Sequence, residues 1–162
     1  MTFKIRNMTT DDIKSVQDVA EKSWFATYAG IIPENIQKKF LKAAYSDEMM
    51  HKRLNHSLFL VAETDSGVVG FANFSFANDQ GEANLGAIYL YPGQQSKGIG
   101  TAMLQEGIKQ LDGIVSISVE VEKDNAIGKS FYEAKGFETV DEYDDEIDGY
   151  ILKTILMTLN LS

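Results

Sequence analysis

The sequence predicts an α/β fold with a single sheet of mixed strand direction, and three observations lead to this prediction. Segments that alternate or run apolar over strand length are interspersed with amphipathic segments of helix length. They follow one another in the order βααα-βββ-α-β-α-ββ, which mixes isolated strands with runs of strands. The 162 residues contain no repeat, low-complexity tract or Pro/Gly-rich linker, so we expect one domain over residues 1–162.

The boundaries of these elements are indicated by capping and turn residues. Thr9, Ser46 and Asn125 are suitable N-caps for three of the helices. Turn-forming residues at 64–67 and 78–81 separate the three central strands. In chain order we predict a strand at Thr2–Arg6, a helix from Ile13 that ends within Ser23–Pro33, helices at Glu34–Ala44 and from Ser46, strands at Leu58–Glu63, Val68–Ala77 and Glu82–Leu90, a helix at Ile99–Leu111, a strand at Ile114–Val121, a helix at Asn125–Lys135, and strands at Phe137–Val140 and Tyr150–Leu159.

The charge and the residue counts argue against several classes of function. A net charge of −9 argues against a nucleic-acid partner, because binding to phosphates needs clustered lysine and arginine. The acidic surface either attracts a cationic substrate or only keeps the protein soluble. With no cysteine and only His51 and His56, we expect no metal site. No apolar run has the length of a membrane span, and the N-terminus lacks a signal-peptide core, so we expect a cytoplasmic protein without a membrane partner.

A glycine-containing loop follows the third central strand and opens a helix. It reads Gln95-Ser96-Lys97-Gly98-Ile99-Gly100-Thr101. Two nearby glycines let the backbone turn tightly and approach a ligand, and a helix start offers free N–H groups to a phosphate. The loop is neither a Walker A sequence nor a complete dinucleotide fingerprint, which would need a glycine at Met103. Taken alone, it fits a phosphate site and a plain tight turn equally well.

A second motif covers the last predicted helix. It reads Asn-x-x-Gly-x-x-Phe-Tyr-x-x-x-Gly-Phe from Asn125 to Phe137. The asparagine caps the helix and Gly136 ends it. We expect Phe131 in the core. Tyr132 either packs beside it or takes part in chemistry, and a helical tyrosine more often packs.

The two motifs together resemble the GNAT acetyltransferase superfamily. The resemblance rests on the strand Ile88-Tyr89-Leu90, the Gln-x-x-Gly-x-Gly loop after it, and the Asn-to-Phe motif further along, in that order. It extends over nearly the whole chain, from Phe3 to Leu159. It implies a GNAT-type domain, with a mixed, mostly antiparallel sheet of about seven strands flanked by helices on both faces.

The resemblance also implies acetyl-CoA as the acetyl donor and assigns roles to residues. Ile88, Tyr89 and Leu90 would pair with the pantetheine arm, and the loop Gln95–Thr101 would bind the pyrophosphate. Asn125 would contact the cofactor, and Tyr132 would protonate the departing thiolate as the catalytic acid. Transfer to the amine would be direct, because the chain has no cysteine that could carry an acetyl group. Dimers are frequent in this family, so a homodimer is a further expectation.

The general base is not identified by the resemblance. Family members often carry a glutamate on the fourth strand, near the substrate amine. The matching stretch here is Ala83-Asn84-Leu85-Gly86-Ala87, which has no carboxylate, and Glu82 lies at the start of the strand. Water and backbone carbonyls are the alternative route for the proton.

The acceptor side is indicated by two further segments. Ser23–Glu34 resembles a branch that includes bacterial and archaeal spermidine/spermine N-acetyltransferases. Trp24 and Tyr28 lie four apart on one helix face, where they either line an acceptor cleft or pack in the core. The acidic run Asp141–Gly149 is predicted as the hairpin turn before the last strand, where it either binds ammonium groups or is only solvated.

Three functions are therefore compatible with the sequence. The first is acetylation of a small-molecule primary amine, with polyamines such as spermidine or spermine as the first candidates. The second is acetylation of a protein N-terminus or lysine. The third is a non-catalytic acyl-CoA-binding module, which the missing strand carboxylate favours and the retained Tyr132 disfavours.

Overall fold

A computed structural model describes residues 2–162 and contains, within them, seven strands and five α-helices in the predicted order. The strands are β1 (Lys4–Asn7), β2 (Leu58–Thr64), β3 (Gly67–Phe74), β4 (Glu82–Leu90), β5 (Ser116–Glu122), β6 (Glu138–Ile147) and β7 (Tyr150–Asn160). The helices are α1 (Ile13–Tyr28), α2 (Glu34–Ala44), α3 (Asp47–His56), α4 (Ile99–Gln110) and α5 (Ala126–Ala134).

The seven strands form one sheet in the order β1-β2-β3-β4-β5-β7-β6. Within it, β4 and β5 run parallel, and the other neighbours are antiparallel. The parallel pair is possible because α4 crosses over between the two strands. The predicted mixed, mostly antiparallel sheet is confirmed.

Helices cover both faces of the sheet and divide the core into two layers. On one face, Met103 and Leu104 of α4 and Tyr132 of α5 pack against inward-facing strand residues. On the other face, α1, α2 and α3 cover an aromatic-rich layer that includes Trp24 and Phe71. Burial of these apolar side chains is the main driving force for the fold. The predicted helices on both faces are confirmed.

The acidic segment after α5 differs from the prediction. The sequence predicted a strand ending at Val140 and a turn over Asp141–Gly149, whereas β6 continues to Ile147. Only Asp148 and Gly149 form the turn, both with positive φ (48° and 84°), as a tight two-residue hairpin requires. The second part of the strand, residues 141–147, was missed because it lies at the sheet edge and is largely exposed, so it lacks apolar alternation. Charged side chains on such an edge discourage further strand pairing.

The parallel strands β4 and β5 separate after a short paired stretch. Residues 82–84 of β4 pair with residues 116–118 of β5, whereas β5 pairs with β7 on its other side along its whole length. The pairing of β3 with β4 skips Gly86, which marks a bulge that bends β4 at this point. The result is a wedge-shaped gap that widens toward the carboxyl ends of both strands.

Candidate active site

The edge of β4 that faces the gap presents backbone groups to a ligand. The N–H of Tyr91 donates to the carbonyl of Val69 at 2.9 Å, which shows which side of the strand points to β3. Because this direction alternates along a strand, Tyr89 pairs with β3 while Ile88 and Leu90 turn their N–H and C=O groups into the gap. An extended chain with amide groups can bind such an edge as an added strand. The two residues are therefore suited to the pantetheine arm.

Tyr89 occupies a different position from its two neighbours. The side chains of Ile88 and Leu90 lie on the α4 face, whereas that of Tyr89 lies on the α1 face. Its hydroxyl is 3.2 Å from the hydroxyl of Tyr28. Its contact with the cofactor remains a prediction, and its hydroxyl lies on the α1 side of the gap.

The loop after β4 is turned by residues with positive φ. Gly93, Ser96 and Gly98 have φ values of 90°, 66° and 84°, and Gly98 is the residue before α4. A Cβ at Gly98 would meet nothing within 4 Å, so the glycine is required by backbone conformation and not by crowding. The first intrahelical bond of α4 runs from Ala102 N–H to Gly98 O, at 3.0 Å.

The start of α4 is therefore a suitable site for an anion. The N–H groups that precede Ala102 have no acceptor one turn earlier in the helix; they belong to Ile99, Gly100 and Thr101. The side chains of Gln95, Ser96 and Lys97 are exposed around them. Unpaired N–H groups and the positive end of a helix dipole favour a phosphate. All seven predicted loop residues thus surround one helix start.

Helices α4 and α5 meet closely beside this loop. A Cβ at Gly100 would lie 3.2 Å from the ring of Phe131, so the second glycine of the motif permits helix packing. Asn125 caps α5, and its Oδ1 accepts a hydrogen bond from the N–H of Gly128 at 3.0 Å. The two sequence motifs, which are separate in the chain, are therefore adjacent in space.

Tyr132 lies beneath the gap in the layer formed by α4 and α5. Its ring makes edge contacts with Phe131 and Phe137, with centroids 5.4 and 5.3 Å apart. Burial raises the pKa of the Tyr132 hydroxyl, and the charge of Glu122 raises it further. The hydroxyl is therefore protonated at neutral pH, as a proton donor must be, and burial makes it a weaker acid than a free tyrosine.

Glu122, the last residue of β5, is a functional candidate that the sequence analysis missed. Its carboxylate accepts a hydrogen bond from the hydroxyl of Tyr28 at 2.8 Å. Burial raises the pKa of this carboxyl, nearby Asp145 and Glu120 also raise it, and the Tyr28 hydrogen bond opposes them. A raised carboxyl pKa is typical of a general base or acid at a reaction site.

The alternation of β5 was the available signal for Glu122. Ile117, Val119 and Val121 face the α4 layer, which turns Glu120 and Glu122 to the α1 face. The resemblance directed attention to β4, where residues 83–87 contain no carboxylate and Glu82 lies exposed at the start of the strand. That β5 diverges from β4 just here, and so places Glu122 beside the gap, depends on tertiary structure.

Trp24 and Tyr28 both lie in the α1 layer and are 4% and 2% exposed. The Trp24 ring stacks on Phe40 at 4.5 Å, an arrangement that favours the core interpretation. Its Nε1 is buried without a hydrogen-bond partner among residues 2–162. Tyr28 packs against Trp24 as well, but its hydroxyl reaches Glu122 and Tyr89. Tyr28 is therefore a core residue with a polar group at the gap.

A pocket of about 590 Å³ lies next to Tyr28, at the connection between α1 and α2. Phe25, residues 29–34, Gln37 and Tyr150 line it. The hydroxyl of Tyr150 donates to the carbonyl of Ile31 at 3.1 Å, which ties the start of β7 to this connection. The pocket is on the α1 face, opposite the side on which the glycine loop leads into α4.

None of the helices within residues 2–162 is both long and apolar enough to cross a membrane. Over the same range, no group of three or more His, Cys, Asp or Glu side chains is arranged to hold a metal ion.

Comparisons with known proteins agree on the family. A family model described as acetyltransferase (GNAT) family matches residues 17–137. The chain is 32% identical over 149 residues to a spermidine N(1)-acetyltransferase of Thermoplasma acidophilum, covering 87% of this chain and 91% of that protein.

Solved structures with the same fold contain the cofactor. The PaiA N-acetyltransferase from Thermoplasma acidophilum, in complex with coenzyme A, matches with a TM-score of 0.88 and 29% identity over 99% of both chains. YncA, a putative acetyltransferase from Salmonella typhimurium with acetyl-CoA, has a TM-score of 0.71 over 100% of this chain and 95% of that one, at 19% identity. The chain belongs to the GNAT acetyltransferase family and is an N-acetyltransferase whose acetyl donor is acetyl-CoA.

Proposed function

We propose that this enzyme acetylates a primary amine of a polyamine, with spermidine as the first candidate. The observation that carries the proposal is the position of Glu122, a partly buried carboxylate beside the gap, on the face opposite Tyr132. A carboxylate in that position attracts a cationic amine and can also accept its proton. The relationship to a spermidine N(1)-acetyltransferase at 32% identity supports the same acceptor class.

In this proposal the backbone and the glycine loop position the donor. Ile88 and Leu90 would hold the pantetheine arm, and the loop Gln95–Thr101 with Asn125 would hold the remainder of acetyl-CoA. The cofactor supplies a thioester whose carbonyl carbon is the electrophile. A backbone N–H of Ile88 or Leu90 would stabilise the negative charge that develops on the carbonyl oxygen. Fixed placement of both reactants supplies much of the rate enhancement.

Glu122 and Tyr132 would then carry the two proton transfers. Glu122 accepts a proton from the bound ammonium group, which leaves a neutral nitrogen able to attack the thioester carbonyl. The new C–N bond would form as the C–S bond breaks, and the Tyr132 hydroxyl would give its proton to the departing thiolate. The nitrogen carries a positive charge after its attack and would release its second proton to water, and Tyr132 would regain a proton from water. The chain contains no cysteine, so an acetyl-enzyme thioester is excluded.

A thiol-release assay with acetyl-CoA tests this proposal directly. The acceptor panel is spermidine, spermine, free amino acids, aminoglycosides and peptides with free N-termini or lysines, with the product identified by mass spectrometry. We expect the highest kcat/KM for a polyamine. A clear preference for peptides would move the function to protein acetylation. Tight binding of coenzyme A without turnover of any amine would instead indicate a non-catalytic binding module.

A further inference from the structure

Tyr89 lies between the two β4 residues whose backbone groups face the gap, and its own side chain makes a different contact. Its ring packs in the α1 layer, with centroid distances of 5.9 Å to Phe71 and 6.4 Å to Trp24. Within residues 2–162, its hydroxyl makes one hydrogen bond, to the hydroxyl of Tyr28 at 3.2 Å. What this bond does depends on which of the two tyrosines is the donor.

The direction of the bond between Tyr28 and Tyr89 follows from a count of protons. A tyrosine hydroxyl has one proton and an ionised carboxylate has none. Tyr28 donates its proton to Oε2 of Glu122 at 2.8 Å. The Tyr28 oxygen must therefore accept in its contact with Tyr89. The three side chains form a chain in which Tyr89 donates to Tyr28 and Tyr28 donates to Glu122.

This chain is complete only when Glu122 is ionised. Its two hydroxyl protons make its two hydrogen bonds, and it ends on a carboxylate, which can only accept. If Glu122 carried a proton, either that proton or the proton of Tyr89 would have no acceptor within the three groups. A buried donor without a partner costs free energy. The chain therefore favours the charged carboxylate, which is the form that a general base needs.

The other groups around Glu122 do not stabilise its charge. Burial raises the pKa of the carboxyl most, Asp145 and Glu120 raise it as well, and the Tyr28 hydrogen bond lowers it. The ammonium group of the next residue, Lys123, is paired with Glu142 at 2.8 Å. The titratable groups that face Glu122 are Tyr28 of α1, Tyr89 of β4, Glu120 of β5, Tyr132 of α5 and Asp145 of β6. Among these, Tyr28 is the group that favours the charged form.

Tyr89 acts on Glu122 through Tyr28. A hydroxyl that accepts a hydrogen bond becomes a stronger donor, by roughly 10–30% per bond in a chain. Burial and the charge of Glu122 raise the pKa of the Tyr28 hydroxyl, and the hydrogen bond from Tyr89 opposes them. The accepted bond also fixes the rotation of the Tyr28 hydroxyl, so that its proton points at Glu122.

We propose that Tyr89 is a positioning residue for acetyl transfer, whose hydroxyl holds that of Tyr28 in the orientation that keeps Glu122 ionised beside the gap. The stretch Ile88–Leu90 then offers backbone groups to the donor at its edge and orients the base from its α1 face. This inference rests on the proposed function, because it assumes that Glu122 accepts the proton of the amine.

Titration of the Glu122 carboxyl separates this role from a merely structural one. The protein is labelled with ¹³C at the glutamate carboxyl groups, its NMR spectrum is followed with pH, and the Glu122 signal is assigned with Glu122→Gln. Tyr89→Phe should lower the acid dissociation constant of Glu122 about two- to threefold, because Tyr28 becomes a weaker donor. In a Tyr28→Phe background the same substitution should change nothing, since the connecting hydroxyl is gone.

Tyr45→Phe is the matched control for this titration. Tyr45 is a buried tyrosine of the same layer and also packs against Phe71, with centroids 5.9 Å apart. Its removal should leave the Glu122 titration in place. Both variants keep the aromatic ring, so the packing of the layer is retained. In activity, Tyr89→Phe should lower kcat/KM for the amine about two- to threefold on the acidic limb of the pH profile and leave the plateau unchanged.

The outcomes distinguish this inference from the proposed function. An unmoved Glu122 titration in Tyr89→Phe, or an equal shift with and without the Tyr28 hydroxyl, would overturn the inference while amine acetylation stands. A moved titration with an unmoved kcat/KM limb would also overturn it, because Glu122 would then not be the base. If the wild type acetylates no amine, the proposed function fails. The titrations need no turnover, so they still decide whether Tyr89 acts on Glu122 through Tyr28.

Discussion

The two sides of the gap between β4 and β5 are built in different ways. On the side of α4 and α5, the groups offered to a ligand are mostly backbone N–H and C=O groups from two continuous stretches of chain. On the side of α1, they are the side chains of Tyr28, Tyr89 and Glu122, which come from three elements. Tyr28 and Glu122 are 94 positions apart in the sequence. The first side can be recognised in the sequence as a motif, whereas the residues of the second side come together only when the chain folds.

The largest expected effect is that of Tyr132→Phe, which tests whether the α5 side also contributes chemistry. Loss of the hydroxyl removes the proton donor for the thiolate while the ring packing against Phe131 and Phe137 stays. We expect kcat to fall by about 100-fold or more, with little change in acetyl-CoA affinity. Steady-state kinetics and a coenzyme A titration measure the two quantities.

Tyr45→Phe is the matched control for this experiment. Tyr45 is also a buried tyrosine whose pKa burial raises, but it lies in the α1 layer under the guanidinium of Arg53. It should leave kcat within about twofold of the wild type. A wild-type kcat in Tyr132→Phe would remove the proposed acid, and the α5 side of the gap would then act only by binding.

The next effect is that of Glu122→Gln, which tests whether the α1 side carries the base. We expect kcat/KM for the amine to fall by about 10- to 100-fold, because the ammonium group loses its proton acceptor. In the wild type, kcat/KM should fall as the pH drops through the pKa of Glu122, which burial holds above its ordinary value. That acidic limb should be absent from the pH profile of the variant.

Glu120→Gln tests the alternative that Glu120, on the same face of β5, is the general base. Glu120 lies two residues earlier, is exposed, and accepts a hydrogen bond from the hydroxyl of Tyr143. We expect the smaller loss here because Glu122 is the more buried carboxylate and the one whose charge acts on Tyr132. A larger loss in Glu120→Gln would transfer the role of base to that residue.

The sequence predicted the fold and the positions of the α4 and α5 side of the gap more fully than those of the α1 side, and the reasons are physical. The alternation of apolar and polar residues located every strand, because most strands bury at least one face. The acidic end of β6 buries neither face, so its residues were taken for a turn. The loop Gln95–Thr101 was recognisable because its residues are contiguous in the chain: a glycine with positive φ comes directly before the first residue of a helix. Glu122 was not recognised because its position beside the gap depends on the divergence of β5 from β4.

A third, smaller effect is expected for Gly98→Ala, which perturbs only the donor side. Alanine at a φ of 84° is strained by about 1 kcal/mol. We expect the KM for acetyl-CoA to rise about fivefold, because that strain shifts the loop that we propose holds the phosphates, while the KM for the amine stays constant. Gly67→Ala, at a φ of 100° in the β2–β3 hairpin and with equally open surroundings, carries the same strain away from the site. If both variants weaken acetyl-CoA binding equally, the loss comes from a general destabilisation of the fold and not from a change in the loop at Gly98.

The smallest effect is that of Tyr28→Phe, which alters the α1 side without removing its carboxylate. The hydroxyl of Tyr28 stabilises the charged form of Glu122, so its loss raises the pKa of that carboxyl further. The acidic limb of the kcat/KM profile should therefore move to higher pH, with a loss of about two- to fivefold on that limb and none on the plateau. Tyr143→Phe removes the corresponding donor to Glu120 and should leave the limb in place. If the limb moves with Tyr143 and not with Tyr28, the side chains that were brought together around Glu122 do not include the base.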